Sequence, residues 1–539
     1  MALSSRREEP GSIRAIAGNG ESRERGTTLL VGILLACLAV SLFVGCSGSA
    51  PDGEGAQTRT RPNVVFILAD DMRADDFEYM PRTRQLLAEE GLAFDNTFVA
   101  HSLCCPSRAS ILRGQYTHNH QVWTNNPPDG GYRQFRSMGH EASTVATWLK
   151  DEGYQTALIG KYLNGYARKN EETHVPPGWD EWRGMLGGGV YYDYRLNENG
   201  EVVSYGGEEQ DYQTDVLADK ARDYVRRVAG SASPSPFFLY LAPGAPHGPF
   251  VPAPRHKGAY DEEGSGSDVG APRRPSFYES DVGDKPEWVR DLPLLKSAEE
   301  TAEAGEEATE EEYGGSDEES PVGTEEMIDS AYRNRLEMLL SLDEMVAGLV
   351  DELRASGELD NTYIFFTSDN GYHFGEHRIN QGKRTVYEEA VRVPLAVRGP
   401  GVPAGRNAEQ MALNIDLAPT IAELTGASAP GFVDGRSLAP FLQGAPPETW
   451  RSAFLLQHYS GGNAQHRSSP TYAAVRTESH KYVEHENGNR ELYELEADPY
   501  ELESLHESAD PALVADLEDR LEALRSCAGE SCREAEDAR

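Results

Sequence analysis

Four short apolar runs in this chain each end in residues that can bind a metal, an anion or a proton. Asp70 and Asp71 follow VVFILA, Lys161 follows TALIG, His247 lies just past FFLYLAP, and Asp369 with Asn370 follow YIFFTS. Three carboxylates and one amide oxygen are hard donors that suit Ca²⁺ or Mg²⁺ better than zinc. Lys161, Lys383 and Arg108 add fixed positive charge, and His247 adds a proton carrier. One divalent ion with these groups describes a pocket for a tetrahedral oxyanion, able to stabilise charge on transferred oxygens and on a leaving group. Taken singly, each residue has a plainer role, since an aspartate at a strand end caps a loop and a lysine there meets solvent. Their common position is what points to chemistry, because open α/β sheets bind ligands beyond the carboxyl ends of their strands.

The stretch HSLCCPSRASILRG, residues 101–114, adds a nucleophile candidate and sets two of the six cysteines side by side. Neighbouring Cα atoms are about 3.8 Å apart, too close for an ordinary disulfide. A zinc site would use C-x-x-C spacing and a second pair, which the chain lacks. Cys104 and Cys105 therefore have no evident structural reason to be adjacent.

The elements that must position these residues follow from hydrophobic patterning. NVVFILA (63–69), QTALIG (155–160), FFLYLAP (237–243), TYIFFTS (362–368) and VPLAVRG (393–399) read as buried strands. They alternate with helical patterns at STVATWLKDEGY, with Ser143 as N-cap, at about 326–355, and at DLAPTIAELTG. The expectation is an α/β fold, a large mixed and mostly parallel sheet sandwiched by helices. Residues 255–328, rich in charge, Gly and Ser, read as a solvated, flexible insertion. Past residue 445 the texture changes to short alternating strands, a turn at Asn487-Gly488 and the helix PALVADLEDRLEALR. This predicts a small C-terminal antiparallel α+β subdomain over 446–539.

The chain has 539 residues and a formal net charge of -39, which argues against nucleic acid as a partner. Residues 27–45 form an uncharged apolar run behind Arg23 and Arg25, so the body is expected outside the cytoplasm. The run ends in Phe43-Val44-Gly45-Cys46 before a small, polar stretch. This resembles a lipoprotein signal over 1–46, with Cys46 lipidated and 47–61 a linker; an uncleaved anchor or plain secretion are the alternatives. In an oxidising compartment Cys527 and Cys532 are close enough in sequence to form a disulfide.

CCPSRASILRG resembles the sulfatase signature, Cys-x-Pro-Ser-Arg followed by a short helix and Gly. With GQYTHNHQVWTNN, GKYLN, APHGPF, NTYIFFTSDNGYHFGEH and CAGESC, the chain looks most like the N-acetylglucosamine-6-sulfatase and heparan endosulfatase branch, from about residue 62 to the C-terminus. The resemblance implies a catalytic domain at 62–445 and a formylglycine made from Cys104 by an enzyme that reads Cys-x-Pro-x-Arg, with Cys105 at the variable position. It implies one Ca²⁺ on Asp70, Asp71, Asp369, Asn370 and the modified Cys104. It also implies a hydrated aldehyde that attacks the ester sulfur, covalent catalysis in two steps. Arg108 would orient that nucleophile, Lys161 and Lys383 would grip sulfate, and His247 would bind sulfate or protonate the leaving oxygen. Sulfated carbohydrate is the implied substrate. An aryl sulfatase, a phosphate-ester hydrolase of the same superfamily, or a glycan-binding lipoprotein that never converts Cys104 are the competing readings. Two departures stand out. Many arylsulfatases carry a His two residues after the strand-end lysine, where this chain has Leu163; Asn164, His373 and His377 are the candidate substitutes, the two histidines also as substrate contacts. Arg113 stands where Thr is usual, next to Gly114.

Overall fold

Every residue of Asn63–Ala69 is buried. Val64, Phe66 and Leu68 enter one core cluster, while Val65, Ile67 and Ala69 enter another. A strand covered on both faces needs apolar residues on both, which is why it reads as an unbroken run. The structure is a computed structural model, and it describes residues 61–538 except 168–170, 188–190, 233–234, 262–268, 296–323 and 462–468. The apolar run 27–45 and Cys46 lie outside the described residues. Among the described residues no helix is long and apolar enough to cross a membrane.

The strands, in chain order, are β1 (Asn63–Ala69), β2 (Leu92–Phe94), β3 (Thr97–Phe98), β4 (Gln155–Gly160), β5 (Glu181–Leu186), β6 (Arg195–Glu198), β7 (Glu201–Ser204) and β8 (Phe237–Ala242). They continue with β9 (Thr362–Ser368), β10 (Leu395–Arg398), β11 (Arg406–Ala408), β12 (Ala412–Leu413), β13 (Ala453–His458), β14 (Tyr472–Thr477), β15 (His480–His485) and β16 (Arg490–Glu494). Ten of them form one sheet in the order β11-β2-β10-β9-β1-β8-β4-β5-β6-β7. Its centre, β9-β1-β8-β4-β5, is parallel throughout, and antiparallel pairs lie toward the edges. One face packs on the helices Cys104–Arg113, Val145–Asp151 and Leu417–Thr425. The other packs on Gln213–Ala229 and Glu325–Ala355. This is the expected α/β sandwich.

β13 to β16 form a separate four-stranded antiparallel sheet, backed by the helix Pro511–Ser526. Both sheets belong to one compact unit over residues 59–539. The turn between β15 and β16 places Gly488 at φ +89°, where a side chain would be strained. Cys527 and Cys532 are joined in a disulfide.

Two expectations need correction. The helix at 145 is capped by Thr144 rather than Ser143: Thr144 N–H donates to the Thr147 hydroxyl at 2.9 Å, and that hydroxyl donates back to Thr144 O at 2.8 Å. The segment 255–328 is not solvated as a whole. Val282, Trp288, Val289 and Leu292 join the core under the C-terminal sheet, and Ser276, Glu279 and Lys285 are buried too. Averaged composition hid these few anchors among many charges.

Candidate active site

β1 and β9 are in register from Asn63 against Thr362 to Ala69 against Ser368. The next residues, Asp70 and Asp369, therefore leave the sheet side by side. Asp71 turns back at φ +68° and its N–H donates to Asp369 Oδ1 at 3.0 Å. Lys161 follows β4, and His247 lies in the loop after β8, so four adjacent central strands supply one pocket. Cys104 joins them as the first residue of a ten-residue helix whose every side chain is buried. That helix is stopped by Gly114 at φ +68°, where a Cβ would meet Val433 Cγ1 at 2.8 Å.

The pocket's contacts are short and charged. Cys104 Sγ lies 3.6 Å from Asp70 Oδ1 and 3.7 Å from Asp71 Oδ1, and Lys383 Nζ stands 2.9 Å from it. Lys383 Nζ also donates to Asp71 Oδ1, and Lys161 Nζ to Asp70 Oδ2, each at 2.5 Å. Arg108 donates through Nε to Asp369 Oδ2 at 2.7 Å and through Nη1 to Lys161 O at 3.0 Å. His247 donates its Nδ1–H to Gly248 O, which leaves Nε2 facing Asp71 Oδ2 at 3.7 Å. The structure thus brings together Asp70, Asp71, Cys104, Arg108, Lys161, His247, Asp369, Asn370 and Lys383.

Electrostatics follow from that packing. Burial alone would raise the Asp70 carboxyl, but Lys161, His247 and Arg108 outweigh it and hold the group below its usual value. Asp71 is held low in the same way: burial would raise it, and Lys383 and His247 outweigh that burial. Burial pushes the Cys104 thiol well above its usual value, with only partial relief from the two lysines. An unmodified Cys104 is therefore a neutral thiol and a poor nucleophile at neutral pH.

The donor set fits a hard cation. Asn370 Nδ2 donates to Asp71 Oδ1 and to Gly371 O, both at 2.8 Å, while its Oδ1 is buried with no hydrogen-bond partner. An orphaned buried acceptor beside three carboxylates is what a cation bound through oxygen would satisfy. Three carboxylates face three fixed cations, Arg108, Lys161 and Lys383, so the set is near neutral and a divalent ion would turn it positive. That positive field is what an anionic ester needs in a chain with a net charge of -39.

Some residues lie elsewhere. The His373 ring hydrogen-bonds Thr385 Oγ1 through Nε2 at 2.7 Å, and its backbone N–H donates to Gly382 O, so it braces the loop that carries Lys383. His377 stacks on Tyr387 with ring centroids 3.9 Å apart, between Glu279 and Glu389. Neither histidine is joined to Cys104 or to the carboxylates around it among the described residues. Asn164 Oδ1 is buried without a hydrogen-bond partner. Arg113 packs its guanidinium over Phe432, 4.3 Å from the ring centroid, and donates to Ser143 O, a contact within the fold.

Two positioning roles were not read from the sequence. Asn125 Oδ1 accepts Cys105 N–H at 2.9 Å, tying down the start of the Cys104 helix. Arg335, fully buried, donates to Asp71 O, to Pro246 O at 3.3 Å and to Asp76 Oδ2 at 2.6 Å. One guanidinium so clamps the loop of Asp71 to the loop of His247. Its signal was present: Arg335 interrupts the apolar stripe Ile328, Tyr332, Leu339, Leu342, Val346, where a charge needs a buried partner.

Comparison with known proteins agrees with the geometry. The family model "Sulfatase" matches residues 62–427, and "N-sulphoglucosamine sulphohydrolase, C-terminal" matches 375–527. N-acetylglucosamine-6-sulfatase of Capra hircus is 35% identical, covering 91% of this chain and 87% of that protein. N-acetylglucosamine-6-O-sulfatase of Bacteroides thetaiotaomicron is 29% identical, over 89% of this chain and 88% of its own. A structure solved in complex with its substrate D-glucosamine-2-N,6-O-disulfate superposes with a TM-score of 0.70 at 27% identity, covering 89% of this chain and 99% of that one. With a family model over 62–427 and a relative 35% identical over 91% of its length, the chain belongs to the sulfatase family and is a sulfuric ester hydrolase.

Proposed function

We propose that the protein is a calcium-dependent sulfatase of sulfated carbohydrates, acting on 6-sulfated N-acetylglucosamine of glycosaminoglycans through a formylglycine made from Cys104. The observation that carries this is the position of Cys104 Sγ, within 3.7 Å of both Asp70 and Asp71 and 2.9 Å from Lys383 Nζ. Similarity to two N-acetylglucosamine-6-sulfatases and to a glucosamine-disulfate complex supports the sugar class.

Asp70, Asp71, Asp369 and Asn370 would hold the calcium, which when bound supplies positive charge to the nucleophilic oxygen at residue 104 and to a sulfate oxygen. The chain's own residues do the rest. Arg108 is pinned by Asp369 and Lys161 O, so it orients residue 104 from a fixed position. Lys161 and Lys383 direct their ammonium groups at the space around residue 104 and draw in the sulfate oxygens. His247 holds its Nδ1–H on Gly248 O, which aims Nε2 at the pocket, and in the imidazolium form the Nε2 proton passes to the leaving oxygen. Outside the pocket, we read 1–46 as an export signal with Cys46 lipidated, which would anchor the enzyme at the cell surface. A formylglycine-generating enzyme is its maturation partner.

The test is a mass spectrum of the peptide containing residue 104, from protein exported by a host that makes formylglycine, followed by turnover of N-acetylglucosamine-6-sulfate and of the matching phosphate ester. The expected result is an aldehyde or its hydrate at 104, a thiol at 105, and sulfate release exceeding phosphate release. Thiols at both positions with glycan binding and no turnover would leave a binding protein in place of an enzyme.

A further inference from the structure

A second group of ligating side chains lies where the loop after β9, the segment 269–295 and the C-terminal sheet meet. His377, Glu389 and Glu501 are buried, and one ligand atom from each lies within 4.8 Å of the others. His377 Nε2 stands 3.6 Å from Glu389 Oε2, and Nδ1 stands 3.8 Å from Glu279 Oε2. These separations are too long for hydrogen bonds, and neither ring nitrogen nor Glu389 Oε2 has a hydrogen-bond partner. The separation of His377 Nε2 from Glu389 Oε2 is close to the edge of a tetrahedron, roughly 3.3 Å when the metal–ligand bonds are about 2.0–2.1 Å.

The surroundings fix these atoms in place. Stacking on Tyr387 holds the imidazole plane, with 20° between the rings. Ser276 Oγ donates to Glu389 Oε1 at 3.3 Å, which leaves Glu389 Oε2 to offer, while Glu388 N–H donates to Glu501 Oε2 at 2.8 Å and Glu501 Oε1 must exchange Lys481 for an ion. The near cations are Lys285, 3.9 Å from Glu279 Oε1, and Lys481, which lies 2.7 Å from Glu501 Oε1 and 3.0 Å from Glu388 Oε1. Lys481 is the competitor for Glu501, and it retains Glu388 when Glu501 turns to an ion. Of the cluster, Glu389 also lines a cleft together with Arg73, Glu388 and Tyr500.

We propose that this cluster is a second metal site, taking a divalent cation of zinc type through His377 Nε2, Glu389 and Glu501, with the Glu279 carboxylate facing Nδ1 at 3.8 Å, where a small side-chain shift on metal binding brings it into hydrogen-bond reach. A carboxylate at the far nitrogen of a metal-bound histidine is the usual supporting contact. One imidazole with two carboxylates suits zinc or manganese better than calcium, so the site is chemically distinct from the all-oxygen set at Asp70, Asp71, Asp369 and Asn370. Its role is a staple: Glu389 and His377 flank the loop that carries Lys383, and Glu501 belongs to the C-terminal part. Uptake of the ion displaces any proton on the imidazole.

The experiment uses the full-length exported protein, held in excess calcium so that the hard-oxygen site is filled, and equilibrated with zinc chloride or manganese chloride. Bound metal per chain is counted by elemental analysis and Tm is followed. The expected result is about one zinc or manganese per chain, a zinc-dependent rise in Tm of several degrees, and at least roughly tenfold weaker uptake in both His377→Gln and Glu389→Gln. Asp71→Asn, which damages the calcium set, should take up zinc as the unaltered protein does. Only trace zinc and manganese on the folded unaltered protein, or undiminished uptake by both the His377 and Glu389 variants, would overturn the proposal and make His377 the proton-bearing member of a buried ion cluster. Neither readout depends on sulfatase turnover.

Discussion

The pocket around Cys104 and the cluster around Arg451 are both built from buried arginine, carboxylate and neighbouring polar groups, yet they are finished differently. Arg451 donates to both oxygens of Asp416, at 2.6 Å each, and lies 3.1 Å from Glu536 through Nε. Arg436 and the Tyr116 hydroxyl complete Glu536, at 3.0 Å and 2.6 Å. Each charge there touches an opposite charge, and the cluster fastens the C-terminal helix Glu530–Asp537 to the start of the Leu417–Thr425 helix. Around Cys104 the match is left open, with Asn370 Oδ1 unsatisfied and Lys161 and His247 partly exposed. The same chemistry holds the fold together where it is closed and leaves room for a cation and a substrate where it is not. Stability is given up at such a site in return for reactivity.

If that contrast is right, the two regions should fail in opposite ways. The largest effect is expected from Asp71→Asn, which removes a proposed calcium ligand and a partner of Lys383: kcat/KM falls at least about a thousandfold. Its Tm should hardly change, and added calcium should recover part of the rate; steady-state kinetics beside calorimetry reads both. Next comes Arg451→Met, which strands Asp416 in the interior and should cost about 3–5 kcal/mol of stability by denaturant titration. The fraction that stays folded should keep its kcat. A large loss of turnover per folded molecule would show that the closed cluster also shapes the pocket.

The smallest effect concerns acid. Burial would raise the Glu491 carboxyl, but His485, Lys285 and Tyr493 outweigh it and hold it at about 2 against an ordinary 4.5. A carboxyl depressed on folding adds stability that is present above its unfolded value and is lost as pH falls through the folded one. Stability should therefore drop between about pH 4.5 and about 2, by on the order of 3 kcal/mol from this group. Glu491→Gln should flatten that part of the profile in melts recorded across the range.

Much of the pocket around Cys104 was legible because strand ends are written locally. The runs before Asp70, Lys161, His247 and Asp369 are short, apolar and β-branched or aromatic, and a parallel sheet sends all their carboxyl ends to one edge. QTALIG forms a strand over the residues read for it, and the long helix begins at Glu325, one residue before the expected start. The buried anchors at 282–292 were illegible because Trp288 and Val289 are too few to show a period amid acidic residues. His373 and His377 were candidates to replace the histidine missing two residues after Lys161. The loop instead turns them toward Thr385, Glu279 and Glu389.

By itself the sequence determined the α/β class, the signature around Cys104 and the kinds of atoms the site would hold, since these depend on residue type, local periodicity and spacing. Only the tertiary structure decided that Asn125 steadies the Cys104 helix, that Arg335 clamps the loop of Asp71 to the loop of His247, and that Glu501 meets His377 from a distant part of the chain. Such contacts depend on how distant segments pack against one another, and no local pattern encodes which carbonyl a buried guanidinium will find.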